Sequence, residues 1–160
     1  MTRRITIVIE SLRGGGAQHV ASTLANMWAS CGDIVTVITF LKPEGDVFTL
    51  DHQVRRIVIG GASKSGNAVS AMIANLKRIW RLREAIIASQ SKTVISFVGA
   101  TNVLTVLATR GIHVNVVVSE RNDPSRQSLG TVWNFLRRHT YKLATLITAN
   151  SQHTVHQLSI

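Results

Sequence analysis

Only one cysteine, Cys31, occurs in the chain. It cannot close an internal disulfide, which fits a reducing compartment, and its place at the end of an expected helix predicts a buried structural thiol. The six histidines are scattered without H-x-x-x-H spacing, and one cysteine rules out C-x-x-C, so no metal site is expected. No stretch reaches the roughly 18 uninterrupted apolar residues that would span a bilayer. Ile5–Ile9 behind Arg3-Arg4 mimics a signal peptide, but Glu10 and Arg13 end the run below the roughly 7–15 apolar residues such a segment needs, so it reads as a strand. Aromatic residues make up 5% of the chain and show no interleaved Gly and Phe/Tyr signature, which argues against nucleic acid as the partner. Acidic residues are the scarcest charge: eight against 18 basic ones, none after Asp123, for a net charge of +10.

That imbalance implies anionic partners: a phosphorylated small molecule, an acidic membrane surface or, less well supported, nucleic acid. At 160 residues the chain is long enough for one domain, and its 45% hydrophobic content supplies a core.

The chain is organised around its start. Arg4–Ile9 is β-branched and reads as a strand; Gly14-Gly15-Gly16 follow as a turn; Ala17 to Ser30 reads as a helix with Val20, Leu24, Met27 and Trp28 on one face. A strand that delivers a glycine turn onto a helix N-terminus presents unpaired backbone N–H groups and the positive end of the helix dipole, a setting for phosphate. A tight strand-to-helix turn alone would also explain the glycines. A G-x-G-x-x-G fingerprint from Gly14 fails because position 19 is His19, and no G-x-x-x-x-G-K-[ST] loop is present.

Strands are expected at 33–40, 54–59, 93–98, 113–119 and 145–149, and helices at 68–89, from the turn at 99–102 to near Gly111, and at 131–143. Lys42–Asp46 and the Gly/Ser-rich 60–67 read as loops, and Asn150-Ser151 cap a further helix from Gln152. Strands alternating with helices predict an α/β, Rossmann-like parallel sheet with helices on both faces. In the helix 68–89, Met72, Leu76, Ile79, Ile86 and Ile87 are the expected buried stripe. Lys77, Arg78, Arg81 and Glu84 share the other side, with Trp80 at the boundary. Lys77, Arg78, Trp80 and Arg81 would suit an anionic membrane surface, as they would a merely solvated face. Ser119-Glu120-Arg121-Asn122-Asp123-Pro124 breaks off a buried strand, and in an open parallel sheet the carboxyl ends of strands border the binding crevice. Turn chemistry at Asn122–Pro124 and an ion pair of Glu120 with Arg121 are the structural alternatives.

The pieces S-L-R-G-G-G-A-Q-H-V, L-A-N-M-W, G-D-I-V-T-V-I-T, V-I-S-F, V-V-S-E-R-N-D-P and L-I-T-A-N-S together resemble the N-terminal domain of retaining glycosyltransferases of the glycogen-phosphorylase-like two-domain fold, commonly called family 4. The resemblance covers nearly the whole chain. It implies one half of a GT-B fold and transfer of a sugar from a nucleotide-sugar, a substrate rather than a cofactor, to a lipid-linked or polysaccharide acceptor at the cytoplasmic face of the membrane. It places Gly14, Gly15 and Gly16 beside the donor's pyrophosphate, and Glu120, Arg121 and Asn122 on the acceptor-side cleft or in contact with phosphate. No catalytic histidine carries over, since His113 lies at the other end of its strand. The family's donor-binding half, with two glutamates eight positions apart, has no counterpart here: the expected partner is a missing C-terminal domain or a separate donor-binding subunit, and the chain alone is expected to be nearly inactive. A non-catalytic basic module that holds an anionic partner or second subunit is the alternative from another class.

Overall fold

In a computed structural model the chain forms a six-stranded, wholly parallel sheet. Residues 2–60, 68–121, 130–151 and 154 are described. Strands β1 (Arg4–Ile9), β2 (Ile34–Thr39), β3 (Arg55–Val58), β4 (Thr93–Phe97), β5 (Asn115–Glu120) and β6 (Leu146–Ala149) lie in the order 3-2-1-4-5-6. Helices α1 (Gly16–Ser30), α2 (Ala68–Ser89), α3 (Gly99–Ala108) and α4 (Thr131–Thr140) connect them, with a 3-10 turn at Tyr141–Leu143. The Rossmann-like α/β expectation holds. The order reverses between β1 and β4, which opens a crevice at their carboxyl ends.

Alternation along the strands sorts two cores. Ile7 and Ile9 of β1 and Val35 and Val37 of β2 face α1, whereas Val8, Ile38 and Val94 face α2 and α3. On β5, Val116 and Val118 pack against α3 and Tyr141. Strands covered on both faces are nearly continuous in apolar residues for this reason. The α1 side is less completely covered: at matched register Ile95 and Val117 are half-buried and Leu146 is exposed.

Three expectations are corrected. In α1 the buried line is Ala21, Ala25 and Ala29; Val20, Leu24 and Trp28 flank it, and Met27 is exposed. Small side chains let a helix lie close to a sheet, and the large ones fill the space beside it. In α2, Leu82, Ala85 and Ile86 are buried and Ile79 partly so, but Met72, Leu76 and Ile87 are exposed. Cys31 is exposed, because it is the C-cap residue where the chain leaves the last turn into Gly32 at φ 84°. The expected loop at 61–67 and the helix from Gln152 lie outside the described residues, although Ser151 Oγ accepts the Thr154 N–H at 3.1 Å as an N-cap would.

Candidate functional site

The turn after β1 is braced from below before it reaches α1. The Leu12 N–H donates to Asp46 Oδ1 at 3.3 Å, and the Leu12 carbonyl accepts from Val47 and Phe48 at 2.9 and 3.2 Å. Asp46 is held in turn by an ion pair with Arg56, which also donates to Thr39 Oγ1. The His19 ring stacks on Phe48 at 5.1 Å. The loop that joins β2 to β3 is therefore the floor of the glycine turn.

Gly15 is the N-cap of α1, at φ 120°, and no side chain caps this end. A Cβ there would stand 2.6 Å from Gln18 Oε1 in a backbone region that other residues rarely adopt. At Gly16 a Cβ would meet nothing within 4 Å. The two glycines thus do different work: Gly15 permits the turn, and Gly16 keeps the helix start open.

Gly15, Gly16, Ala17 and Gln18 line a cavity of about 400 Å³ with Val98, Arg121 and Asn150. The structure brings Arg121 to the glycine turn; Gly14 stands just outside this lining. Arg121 follows β5 on the α1 side, with its guanidinium 5.8 Å from the centre of the Phe97 ring and its Nε donating to Ser119 Oγ at 3.2 Å. Glu120 points to the opposite face and is 1% exposed. Tyr141 Oη donates to Glu120 Oε2 at 2.7 Å, Asn102 Nδ2 donates to Tyr141 Oη at 3.0 Å, and Glu120 Oε1 accepts the Arg121 N–H at 3.2 Å. Burial and the adjoining Glu120 carboxylate push the Tyr141 phenol far above its ordinary pKa, so it stays a donor. Glu120 thus stands behind the cleft wall rather than on it, while Asn122 lies outside the described residues.

A second pocket, about 220 Å³, opens beside the first. Glu10, Gln18, Arg78 and Thr101 are its polar lining, and Ile9, Phe40, Phe97 and Leu104 much of its apolar lining. Arg78 belongs to the membrane-facing set expected from the sequence, but its place on α2 is one turn before Leu82, so it points into the crevice. It also donates to Asn75 Oδ1 at 2.9 Å. Sequence reasoning missed Glu10 and named Arg78 for a different surface. Their signals were present: Glu10 ends β1 at the same edge as the glycines, and Arg78 is a cation on the stripe that Leu82 and Ala85 bury.

Between the two pockets sits Val98, a β-branched residue at φ 68°, ψ 122°. Its N–H donates to the Ser119 carbonyl at 3.1 Å, and its carbonyl accepts from Thr101 and Asn102. The expected turn at Gly99–Asn102 is the first turn of α3, and the bend falls on Val98. Strain of this kind costs on the order of 1–3 kcal/mol and collects at functional sites. Among the described residues no three metal-ligating side chains converge.

The profile of the glycosyl transferase 4-like domain matches residues 15–159. The chain belongs to that family. At 28% identity over 139 residues it is similar to a Campylobacter jejuni enzyme named GalNAc-alpha-(1->4)-GalNAc-alpha-(1->3)-diNAcBac-PP-undecaprenol alpha-1,4-N-acetyl-D-galactosaminyltransferase. That match covers 86% of this chain and 37% of the relative. Among solved structures it superposes on MurG of Acinetobacter baumannii with a TM-score of 0.66 and 16% identity, over 94% of this chain and 42% of that one, a likeness of fold. The glycosyltransferase 4-like domain seen here is the N-terminal, Rossmann-like domain of the GT-B fold.

Proposed function

We propose that this domain is the acceptor-side half of a retaining glycosyltransferase that moves a sugar from a nucleotide-sugar donor to a lipid-linked or polysaccharide acceptor. The observation that carries this reading is the cavity that joins Gly15, Gly16, Arg121 and Asn150 at the topological switch point. As a sugar leaves its nucleoside diphosphate, negative charge grows on the phosphate oxygens, and the uncapped start of α1 together with a fixed guanidinium stabilises it there. The neighbouring pocket has the polar edge of Glu10, Gln18 and Arg78 and the apolar floor that a sugar ring needs, which supports it as the acceptor subsite. A lipid-linked acceptor is supported by the Campylobacter relative, whose name carries PP-undecaprenol. The chain spans 37% and 42% of the proteins it matches, which supports a donor-binding domain or subunit as the partner that closes the crevice.

Peripheral attachment to the cytoplasmic face of an anionic membrane is part of the same proposal. Val69, Ile73, Leu76, Trp80 and Ile87 form one exposed line along α2, with Met72 beside it and the exposed cations Lys77 and Arg81 on its flank. On α4, Val132 and Phe135 are exposed with Arg138 and Lys142 nearby. Apolar side chains interleaved with cations suit an interface, each cation adding about 1 kcal/mol near anionic lipid. No helix among the described residues is long and apolar enough to cross a membrane.

Titration with UDP, followed by the amide resonances of Gly14, Gly15 and Gly16, tests the site. Local shifts with roughly millimolar affinity are expected, and Gly16→Ala abolishes them while leaving stability within about 0.5 kcal/mol. Unmoved glycine resonances sink the phosphate reading. Sedimentation with phosphatidylglycerol vesicles tests the helix: Leu76→Ser with Trp80→Ser releases the chain, and undiminished binding by that variant removes α2 as the contact.

A further inference from the structure

Behind the strand end that carries Arg121 lies a hydrogen-bonded chain whose side chains, Asn102, Tyr141 and Glu120, are not among the lining of either pocket. Asn102 of α3 donates through Nδ2 to the Ser119 carbonyl at 3.2 Å and to Tyr141 Oη at 3.0 Å; Tyr141, from the turn after α4, donates to Glu120 Oε2 at 2.7 Å; Glu120 Oε1 accepts the Arg121 N–H at 3.2 Å. Each direction is forced, because a phenol has one proton and the carboxylate takes it, leaving the phenol oxygen to accept from the amide. The chain grips β5 on both sides of Glu120, at the Ser119 carbonyl before it and the Arg121 amide after it.

Such a network is an expensive way to fill space. A carboxylate 1% exposed must recover its hydration from hydrogen bonds, and Asn102 Oδ1 is buried with no partner among the described residues. Apolar side chains of the same volume would hold α3, α4 and β5 together without that penalty. What they would not do is fix the direction of the backbone at residue 121. On the other face, Ser119 Oγ takes the Arg121 Nε, the Phe97 ring lies under the guanidinium, and Asn150 Nδ2 donates to the Arg121 carbonyl at 3.4 Å. Among the described residues none takes the terminal guanidinium nitrogens, and Arg121 shares its cavity with Gly15 and Gly16.

We infer that Arg121 is the cation this half contributes to a bound diphosphate, and that Asn102, Tyr141 and Glu120 are positioning residues that hold it at the required angle. The inference rests on reading the Gly15–Gly16 cavity as a diphosphate site. Of the two places open to Arg121, the acceptor side and the phosphate, it chooses the phosphate, and it gives Glu120 a role without contact to any substrate.

The probe is inorganic pyrophosphate, titrated into the chain and followed by the Gly15, Gly16 and Arg121 amides, with thermal unfolding recorded for every variant. Arg121→Gln is expected to weaken binding about tenfold or more, the loss of a charge-assisted contact. Tyr141→Phe keeps the ring and removes the proton donated to Glu120 Oε2; it weakens binding about three- to tenfold, but adds nothing in the Arg121→Gln background. A merely structural Tyr141 would lower the unfolding temperature and weaken binding equally in both backgrounds, which overturns the positioning role. Should Tyr141→Phe unfold, Glu120→Gln supplies the same cycle. Wild-type binding that survives Arg121→Gln intact overturns the inference and leaves the diphosphate site standing. Absence of pyrophosphate binding by the wild type overturns both.

Discussion

Helices α1 and α2 have the same apolar periodicity in sequence and meet opposite fates. α1 lays Ala21, Ala25 and Ala29 on the sheet and keeps its large side chains at the margin; α2 buries Leu82, Ala85 and Ile86 only in its second half and turns Val69, Ile73, Leu76 and Trp80 outward. Length explains part of the difference. Twenty-two residues of helix run about 33 Å, whereas strands of four to six residues run roughly 13–20 Å, so one end of α2 overhangs whatever its composition. Periodicity fixes that a helix has an apolar stripe. It does not fix which of two stripes faces the protein.

The sharpest way to break the contrast is Leu82→Ala, which empties a fully buried position and should cost about 2–5 kcal/mol in denaturant unfolding. Ala25→Leu probes the other helix: three extra side-chain carbons beneath α1 have nowhere to go, and overpacking should cost about 1–3 kcal/mol. If Ala25→Leu were neutral, α1 would not lie as close to the sheet as its alanines imply. At Val98 the usual order of residues should invert. Glycine relaxes φ 68° and alanine does not, so Val98→Gly should be more stable than Val98→Ala by about 1 kcal/mol. Smallest of all, Leu76→Ser should change stability by less than about 0.5 kcal/mol, since the side chain is 54% exposed. A loss near that of Leu82→Ala would mean that α2 is covered along its whole length.

The sheet was legible because β-branched runs at Ile5–Ile9, Ile34–Thr39 and Val94–Phe97 admit few other structures, and glycine punctuation marked the ends of helices. The site was legible in part. Gly15, Gly16 and Arg121 converge because strand ends of a parallel sheet share one edge, a consequence of topology that spacing along the chain reveals. Alternation along β5 would also have sent Glu120 and Arg121 to opposite faces, yet the pair reads as one polar cluster when taken residue by residue. Tyr141 and Asn102 were out of reach for another reason. They lie 39 residues apart, and only packing of α3 against the turn after α4 brings them within 3.0 Å of each other. Val98 gives no sign at all, since β-branched residues are outliers where the backbone turns left.

The central position of β1 has a consequence for how the molecule is made. One edge of β1 pairs with β2, only 30 residues on, but the other edge waits for β4, where Ile5 meets Thr93. At a synthesis rate of about 5–20 residues per second, the 58 residues between Val35 and Thr93 leave Ile5–Ile9 half-zippered for roughly 3–12 s. During that interval the nascent chain carries a bare, β-branched edge of the type that recruits other strands, with Arg3 and Arg4 at its head as the charges that discourage them.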